Sequence, residues 1–404
     1  MTNPSLPLAG IRILAIEQYG AGPYATMHLA DLGAEVIKIE SPAREGVPAG
    51  DMSRQSGPFF LGDNDSEFFQ TFNRGKRSVA LEIRTPRGRE LLLKLVAGAD
   101  AVVNNLRGDQ PARLGVTYDD LKAVNPRIVC GHLSGYGRSG PRSAWPAYDY
   151  LAQAEAGYLD ITGEPGTPPS RMGLSMIDFM GGVTAAFAVS AALVGALRSG
   201  KGCDIDVTLY DVAMHQLTYP ATWYLNEGHI TERKPRSGHP SVVPCELMPT
   251  ADGWVFVMCI TARFWTLLCE RIDQPALATD PRFAGFAERR RNRQALIDIL
   301  DPVFRSKTTA QWMAVLAGTV PAAPVLTLPQ ALDNPYLAET GGILSVAHPA
   351  RPQGLRMIAS PVRVDGERPG ATAGPSFGAD TEAVLGSIGV DAATLADLRR
   401  DGVC

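Results

Sequence analysis

No two of the six cysteines, at 130, 203, 245, 259, 269 and 404, form a C-x-x-C pair or a zinc-ligand spacing. That argues against a disulfide framework and fits reduced thiols in a cytoplasmic protein. The six histidines add no close pair at metal-ligand spacing, so no metal is expected. An excess of one charge is also missing: 38 Lys and Arg face 42 Asp and Glu, which leaves no basic field for nucleic acid and no acidic tail. The run Arg289-Arg290-Arg291-Asn292-Arg293 has no interleaved aromatics and reads as a solvated helix face. Residues 1–10 lack the charged start, long apolar stretch and cleavage site of a signal peptide. The longest apolar run, Gly181 to Leu197, falls short of a spanning helix and reads as a buried one. Neither nucleic acid nor membrane is therefore expected as a partner.

What is present is ordinary globular material: 404 residues, 45% apolar and 20% charged, enough for a large core or for several. Ile11 to Ile16 reads as a strand, Tyr19-Gly20-Ala21-Gly22-Pro23 as a turn into a helix ending near Leu32, and Glu35 to Ile39 as a second strand. Pro23 suits a first helical turn and Gly33 the left-handed residue past a helix end. Helices near Arg87–Val96 and Tyr118–Val124 alternate with strands at Ala101–Val103 and Ile128–His132. This alternation predicts an α/β fold with a parallel sheet. Gly135 to Ser170 reads as loops around one short helix near Ala152, followed by a long helix from about Gly181, a strand at Asp204–Leu209 and a helix at Asp211–Leu217. A boundary falls in the turn-rich Thr231–Pro249, and a smaller α+β domain follows. The expected division is 1–225, 226–325 and 326–404.

Three motifs carry candidate chemistry. Gly20-Ala21-Gly22-Pro23-Tyr24-Ala25 after a strand fits G-x-G-x-x-G/A, and Glu40 closes the next strand. The pattern suits a dinucleotide such as NAD, as in an oxidoreductase, but any ADP-containing ligand would profit equally, and Pro23 removes an amide donor. Tyr118 and Lys122 have the Y-x-x-x-K spacing of short-chain dehydrogenases, yet they fall on the first turn of a surface helix and read as coincidence. Asp178, in Met176-Ile177-Asp178-Phe179-Met180-Gly181-Gly182, has two readings: an N-cap of the apolar helix, or a carboxylate nucleophile kept ionised by the helix dipole while partly desolvated.

Several blocks in order decide between them. Leu8-Ala9-Gly10-Ile11-Arg12-Ile13-Leu14, Ala21-Gly22-Pro23, Leu32-Gly33-Ala34-Glu35-Val36-Ile37-Lys38-Ile39-Glu40, Asn73-Arg74-Gly75-Lys76-Arg77-Ser78, Leu114-Gly115-Val116, Leu133-Ser134-Gly135-Tyr136-Gly137 and Arg198-Ser199-Gly200-Lys201-Gly202 span nearly the whole chain. Together they resemble the class III coenzyme A transferases, the family of formyl-CoA and carnitine CoA-transferases and α-methylacyl-CoA racemases. The resemblance implies that Asp178 is the nucleophile, and that coenzyme A contacts involve Gly20, Ala21, Leu81, Arg84, Asn105, Leu106 and Arg113. It also implies a Rossmann-like large domain made by both chain ends, a smaller inserted domain, and an interlocked homodimer. No cofactor is bound permanently; the coenzyme A thioester is a substrate, together with a small carboxylic acid. Two departures bear on the adenine end: Ser41 stands where some members carry a phosphate-binding Arg, and Pro146 where formyl-CoA transferase has Lys. Arg74, Tyr148 and His239 are candidates for a polar acyl pocket, suited to a dicarboxylic acid such as succinate. A racemase would pair His with Asp where this chain has Tyr148-Asp149, and tyrosine is the poorer base at neutral pH.

Overall fold

The computed structural model describes residues 5–404; the first four residues of the stretch read for a leader lie outside. The chain forms two compact units. The first runs to Ala156 and continues in Gly173–Gln216 and Tyr336–Cys404; the second comprises Gly157–Met172 and Leu217–Pro335.

The first unit is built on a six-stranded sheet: β1 (Arg12–Ile16), β2 (Glu35–Glu40), β3 (Arg77–Ala80), β4 (Ala101–Asn104), β5 (Val129–Ser134) and β6 (Cys203–Thr208). Its order is β3-β2-β1-β4-β5-β6 and every pairing is parallel. Helix α1 (Ala21–Asp31) joins β1 to β2, α2 (Pro86–Ala97) joins β3 to β4, and α4 (Met176–Ser199) precedes β6, with the short α3 (Asp149–Glu155) before it. Helices on the faces bury both sides of the central strands, which is why β1 reads as a near-continuous apolar run, while β2 buries Lys38 and Glu40 along with Val36, Ile37 and Ile39. Thr85 caps α2 by accepting from Gly88 N at 3.0 Å, with Pro86 in the first turn. In this strand order the chain reverses direction across the sheet between β1 and β4. The crevice at the carboxyl ends there is where open parallel sheets bind ligands.

Two expectations about α4 are corrected. The helix begins five residues before Gly181 and runs 24 residues, so length and composition alone would let it cross a membrane. Nor is it buried all round. Gly181, Gly182, Ala185, Val189 and Leu193 pack inward, while Val183 and Phe187 are 49% and 72% exposed. Small residues let α1 and the sheet approach one side only: a methyl group on Gly182 would lie 2.8 Å from the Ala21 carbonyl oxygen.

The second unit holds a three-stranded antiparallel sheet, Cys245–Pro249, Trp254–Met258 and Ala322–Pro324, packed by helices Ala262–Arg271, Arg293–Arg305 and Thr309–Leu316 around Trp265, Phe304 and Trp312. One arginine of the basic run departs from the solvated reading. Arg289 is fully buried, its Nε donating to the Val243 carbonyl at 2.7 Å and its Nη1 to the Phe283 carbonyl at 2.9 Å.

Candidate active site

At the switch point between β1 and β4 lies a cavity of about 360 Å³. Its walls follow directly from strand ends: Tyr19 and Gly20 after β1, Asn105 and Leu106 after β4, Ser134 at the end of β5, with Tyr148 and Asp178 also in the wall. Among the described residues, Asp178 is the only acid in the wall.

Asp178 is the third residue of α4, within its first turn, and the cap position belongs to Ser175, whose side chain makes no capping bond. The amides of this first turn are instead satisfied from a distance. Asp149, the first residue of α3 and fully buried, accepts from Ile177 N at 2.6 Å and Asp178 N at 2.9 Å through Oδ2, while its Oδ1 accepts from Gln153 Nε2 at 2.6 Å. The cap reading of Asp178 is therefore overturned, because another aspartate does that work. With the amides taken, neither Asp178 oxygen accepts a hydrogen bond among the described residues. Burial pushes its carboxyl up to about 7, and the nearby Asp149 charge pushes the same way. Burial and the Asp149 charge therefore oppose the helix dipole that was expected to keep this carboxyl ionised. A carboxylate that spends much of its time protonated near neutral pH is a strong nucleophile once ionised, since no hydrogen bonds hold its charge.

Facing it is the start of α1. Gly20 is packed so closely that a methyl group there would sit 3.1 Å from Asp178 Oδ2. The first turn of α1 carries no acid and no side-chain cap, so the amides of Ala21 and Gly22 have no intrahelical carbonyl to donate to. Such amides are the donors that a developing oxyanion beside the carboxylate would need.

Gly20, Ala21, Asn105, Leu106, Tyr148 and Asp178 are thus brought together, but the other candidates stand elsewhere. Leu81 is fully buried in the core between the sheet and α2. Arg84 is exposed, its guanidinium forked on Glu82 at 2.7 and 3.0 Å and reaching Ser41 Oγ at 3.4 Å. Arg113 is exposed and pairs with Asp109 at 3.3 Å. Arg74 is buried and does not line the cavity: it forks on Asp31 at 2.9 and 2.6 Å and donates to the Ile358 carbonyl. His239 belongs to the second unit. Its Nδ1 accepts from Ser241 N and Val242 N, both at 3.1 Å, which places the proton on Nε2, 3.2 Å from the Tyr219 hydroxyl.

The cavity wall also contains Gln18, Met52, Arg107 and Trp145, which the sequence did not single out. Arg107, two residues beyond Asn105 and held by Asp109 at 2.6 Å, is the cation of the wall. Its place in a strand-end segment between two candidates was the available signal. A larger cleft, about 1460 Å³, lies at the opposite ends of the strands, where Arg12 and Arg77 pair with Glu35 and Arg77 also with Asp380. Among the described residues no cluster of three or more metal-ligating side chains occurs.

Comparison with known proteins places the whole chain. The model of CoA-transferase family III matches residues 8–381. An acyl-CoA transferase of Fusarium pseudograminearum is 34% identical over 98% of this chain and 88% of its own length. A succinate–glutarate CoA-transferase of Agrobacterium fabrum is 34% identical over 84% of this chain and 85% of its own. The crystal structure of a CAIB/BAIF family protein from Brucella suis superposes with a TM-score of 0.80 at 31% identity, covering 95% of this chain and 100% of that one.

Proposed function

The chain belongs to CoA-transferase family III and transfers coenzyme A between an acyl-CoA and a carboxylate, and we propose that Asp178 is the covalent relay for that transfer. The observation that carries this reading is the placement of the Asp178 carboxyl in the cavity, opposite the uncapped first turn of α1. The ionised carboxylate attacks the donor thioester carbonyl, expelling the CoA thiolate and leaving an aspartyl-acyl anhydride. The thiolate then attacks the aspartyl carbonyl, releasing the donor acid and storing an aspartyl-CoA thioester. The acceptor acid runs the same steps backwards. Each tetrahedral oxyanion meets the Ala21 and Gly22 amides. Arg107, at the wall, and the exposed Arg84 and Arg113 supply charge for the phosphates of coenzyme A.

The donor we assign is succinyl-CoA and the acceptor a small dicarboxylic acid. Support comes from the name of the Agrobacterium relative and from the polar Gln18 and Tyr148 in the wall. We further assign a homodimer without a resident cofactor, as the family resemblance implies, and a cytoplasmic location, which the unpaired cysteines support. The isomerase alternative is disfavoured by Asp149, whose two oxygens are committed to Ile177, Asp178 and Gln153.

The test is exchange between succinyl-CoA and a panel of free acids, followed by hydroxylamine or borohydride treatment of the acyl-CoA-loaded enzyme and peptide mass spectrometry. Modification of the peptide bearing Asp178 is expected. Exchange with no adduct at Asp178 would overturn the covalent relay, and acceptance of bulky apolar acyl groups alone would overturn the substrate assignment.

A further inference from the structure

Between Glu17 and Pro23 the backbone is gripped by side chains from four separate segments. Tyr19 adopts φ +67°, a left-handed conformation that a bulky residue visits only at a cost of about 1–2 kcal/mol. Its amide donates to Asp51 Oδ1 at 2.9 Å, and that buried carboxylate is held in turn by Lys38 Nζ at 2.8 Å. Lys38 also donates to the Glu17 carbonyl at 3.1 Å, and Lys76 to the Pro23 carbonyl at 2.9 Å. Asn105 completes the grip by bonding both polar groups of one residue: Gln18 N donates to its Oδ1 at 2.8 Å, and its Nδ2 donates to the Gln18 carbonyl at 2.7 Å. A methyl group on Gly22 would come within 2.7 Å of the Asn105 side chain, so α1 is seated directly on it.

Burying Lys38, Asp51, Glu17 and Lys76 together costs desolvation that apolar packing would avoid. What the arrangement obtains is a fixed turn whose next residue, Gly20, stands so near Asp178 that a methyl group on it would lie 3.1 Å from Oδ2. Both polar groups of the Asn105 side chain bond the turn, Oδ1 as acceptor and Nδ2 as donor.

We propose that Asn105 and Asp51 are positioning residues that hold the strained Tyr19 turn, so that the amides opening α1 stay aimed at the reacting carbonyl on Asp178. This rests on the covalent reading of Asp178, but the turn itself can be tested without it.

Asn105→Ala should lower kcat by about tenfold or more, since misplacing a site by an ångström costs on this scale. The KM for acyl-CoA should stay within about twofold, because the loss falls on the aim of the α1 amides in the transition state. In the Tyr19→Gly background, where positive φ carries no penalty, the same substitution should cost less than about threefold. Asn105→Asp, which keeps the acceptor for Gln18 N but loses the donor to its carbonyl, should fall between and covers the case in which Asn105→Ala folds poorly. Hydrogen exchange of the peptide spanning residues 17–24 reads the clamp without substrate: protection should drop in Asn105→Ala relative to wild type. A raised KM with unchanged kcat, equal losses in the two backgrounds, or unaltered exchange would each overturn the clamp. Absence of CoA exchange in the wild-type protein would instead overturn the function, leaving the exchange measurement to decide the clamp.

Discussion

Two helices begin at the cavity, and their N-termini are treated in opposite ways. The start of α4 is filled: Asp149 accepts from its first-turn amides, and Asp178 sits inside it without a hydrogen bond to its oxygens. The start of α1 is left open, with no acid in its first turn and no side-chain cap. The same backbone feature, unpaired amides with partial positive charge, is cancelled where it would quiet the nucleophile and kept where charge develops. A carboxylate capped by its own helix would be well stabilised and sluggish; one denied that stabilisation rises toward 7 and gains nucleophilicity when it ionises.

The largest test removes the acid from the filled side. Asp178→Asn keeps size and shape but has no anionic oxygen, and CoA exchange should fall by about 10⁴-fold or more with fold and CoA binding intact. Full exchange in a folded variant would remove the chemical meaning of the contrast. On the open side, Gly20→Ala brings a methyl group to 3.1 Å from Asp178 Oδ2. A loss of about 100-fold is expected, seen mainly in kcat; an unaffected rate would mean that the close approach has no part in catalysis.

Acidity gives the next two tests. Because the reactive form is the anion, kcat/KM should decline as pH falls through about 7, and Asp149→Asn should shift that decline to lower pH by removing a like charge. If the profile stays put in Asp149→Asn, burial alone sets the acidity. Stability follows the same proton. Between its ordinary value of 3.8 and about 7, the folded chain holds a proton on Asp178 that the unfolded chain has released. The stability contributed by that proton is therefore present below pH 4 and lost as pH rises through 7. Asp178→Asn, free of this penalty, should be more stable than wild type at pH 8, by on the order of 2 to 4 kcal/mol, and no more stable at pH 4. Chemical denaturation at the two pH values would reveal it, and equal differences at both would refute the origin assigned to it. The smallest effect belongs to the periphery: Arg113→Ala should leave stability within about 0.5 kcal/mol, since exposed pairs contribute little, while raising the KM for acyl-CoA several-fold.

Much of the sheet was legible because its signals are local. The apolar run of β1, Pro23 inside the first turn of α1, and Gly33 at φ +103° past its end are each decided by residues within one element. The strand Arg77–Ala80 was not read, since four residues that start with Arg and Ser carry neither a run nor an alternation. The start of α4 was placed late because the apolar signal begins at Gly181, whereas its first turn is stabilised by Asp149, 28 residues earlier in the chain. In the site, the glycine turn and Asp178 could be singled out from their neighbours in sequence and from the family blocks. Arg74 was read as an acyl-pocket candidate because nothing near it in sequence announces Asp31, 43 residues away.

By itself the sequence determined which segments become strands and helices around the first turn, that the sheet is parallel, and that one aspartate before an apolar helix is the residue to watch. Those conclusions rest on periodicity, turn chemistry and short-range hydrogen bonding, which span a few residues. Tertiary structure alone decided what Asp178 is: uncapped, desolvated, beside a second aspartate and 3.1 Å from where a side chain on Gly20 would begin. Acidity and aim depend on dielectric and on partners that approach through space, such as Asn105 reaching Gln18 across 87 positions, and no local pattern in the chain encodes either.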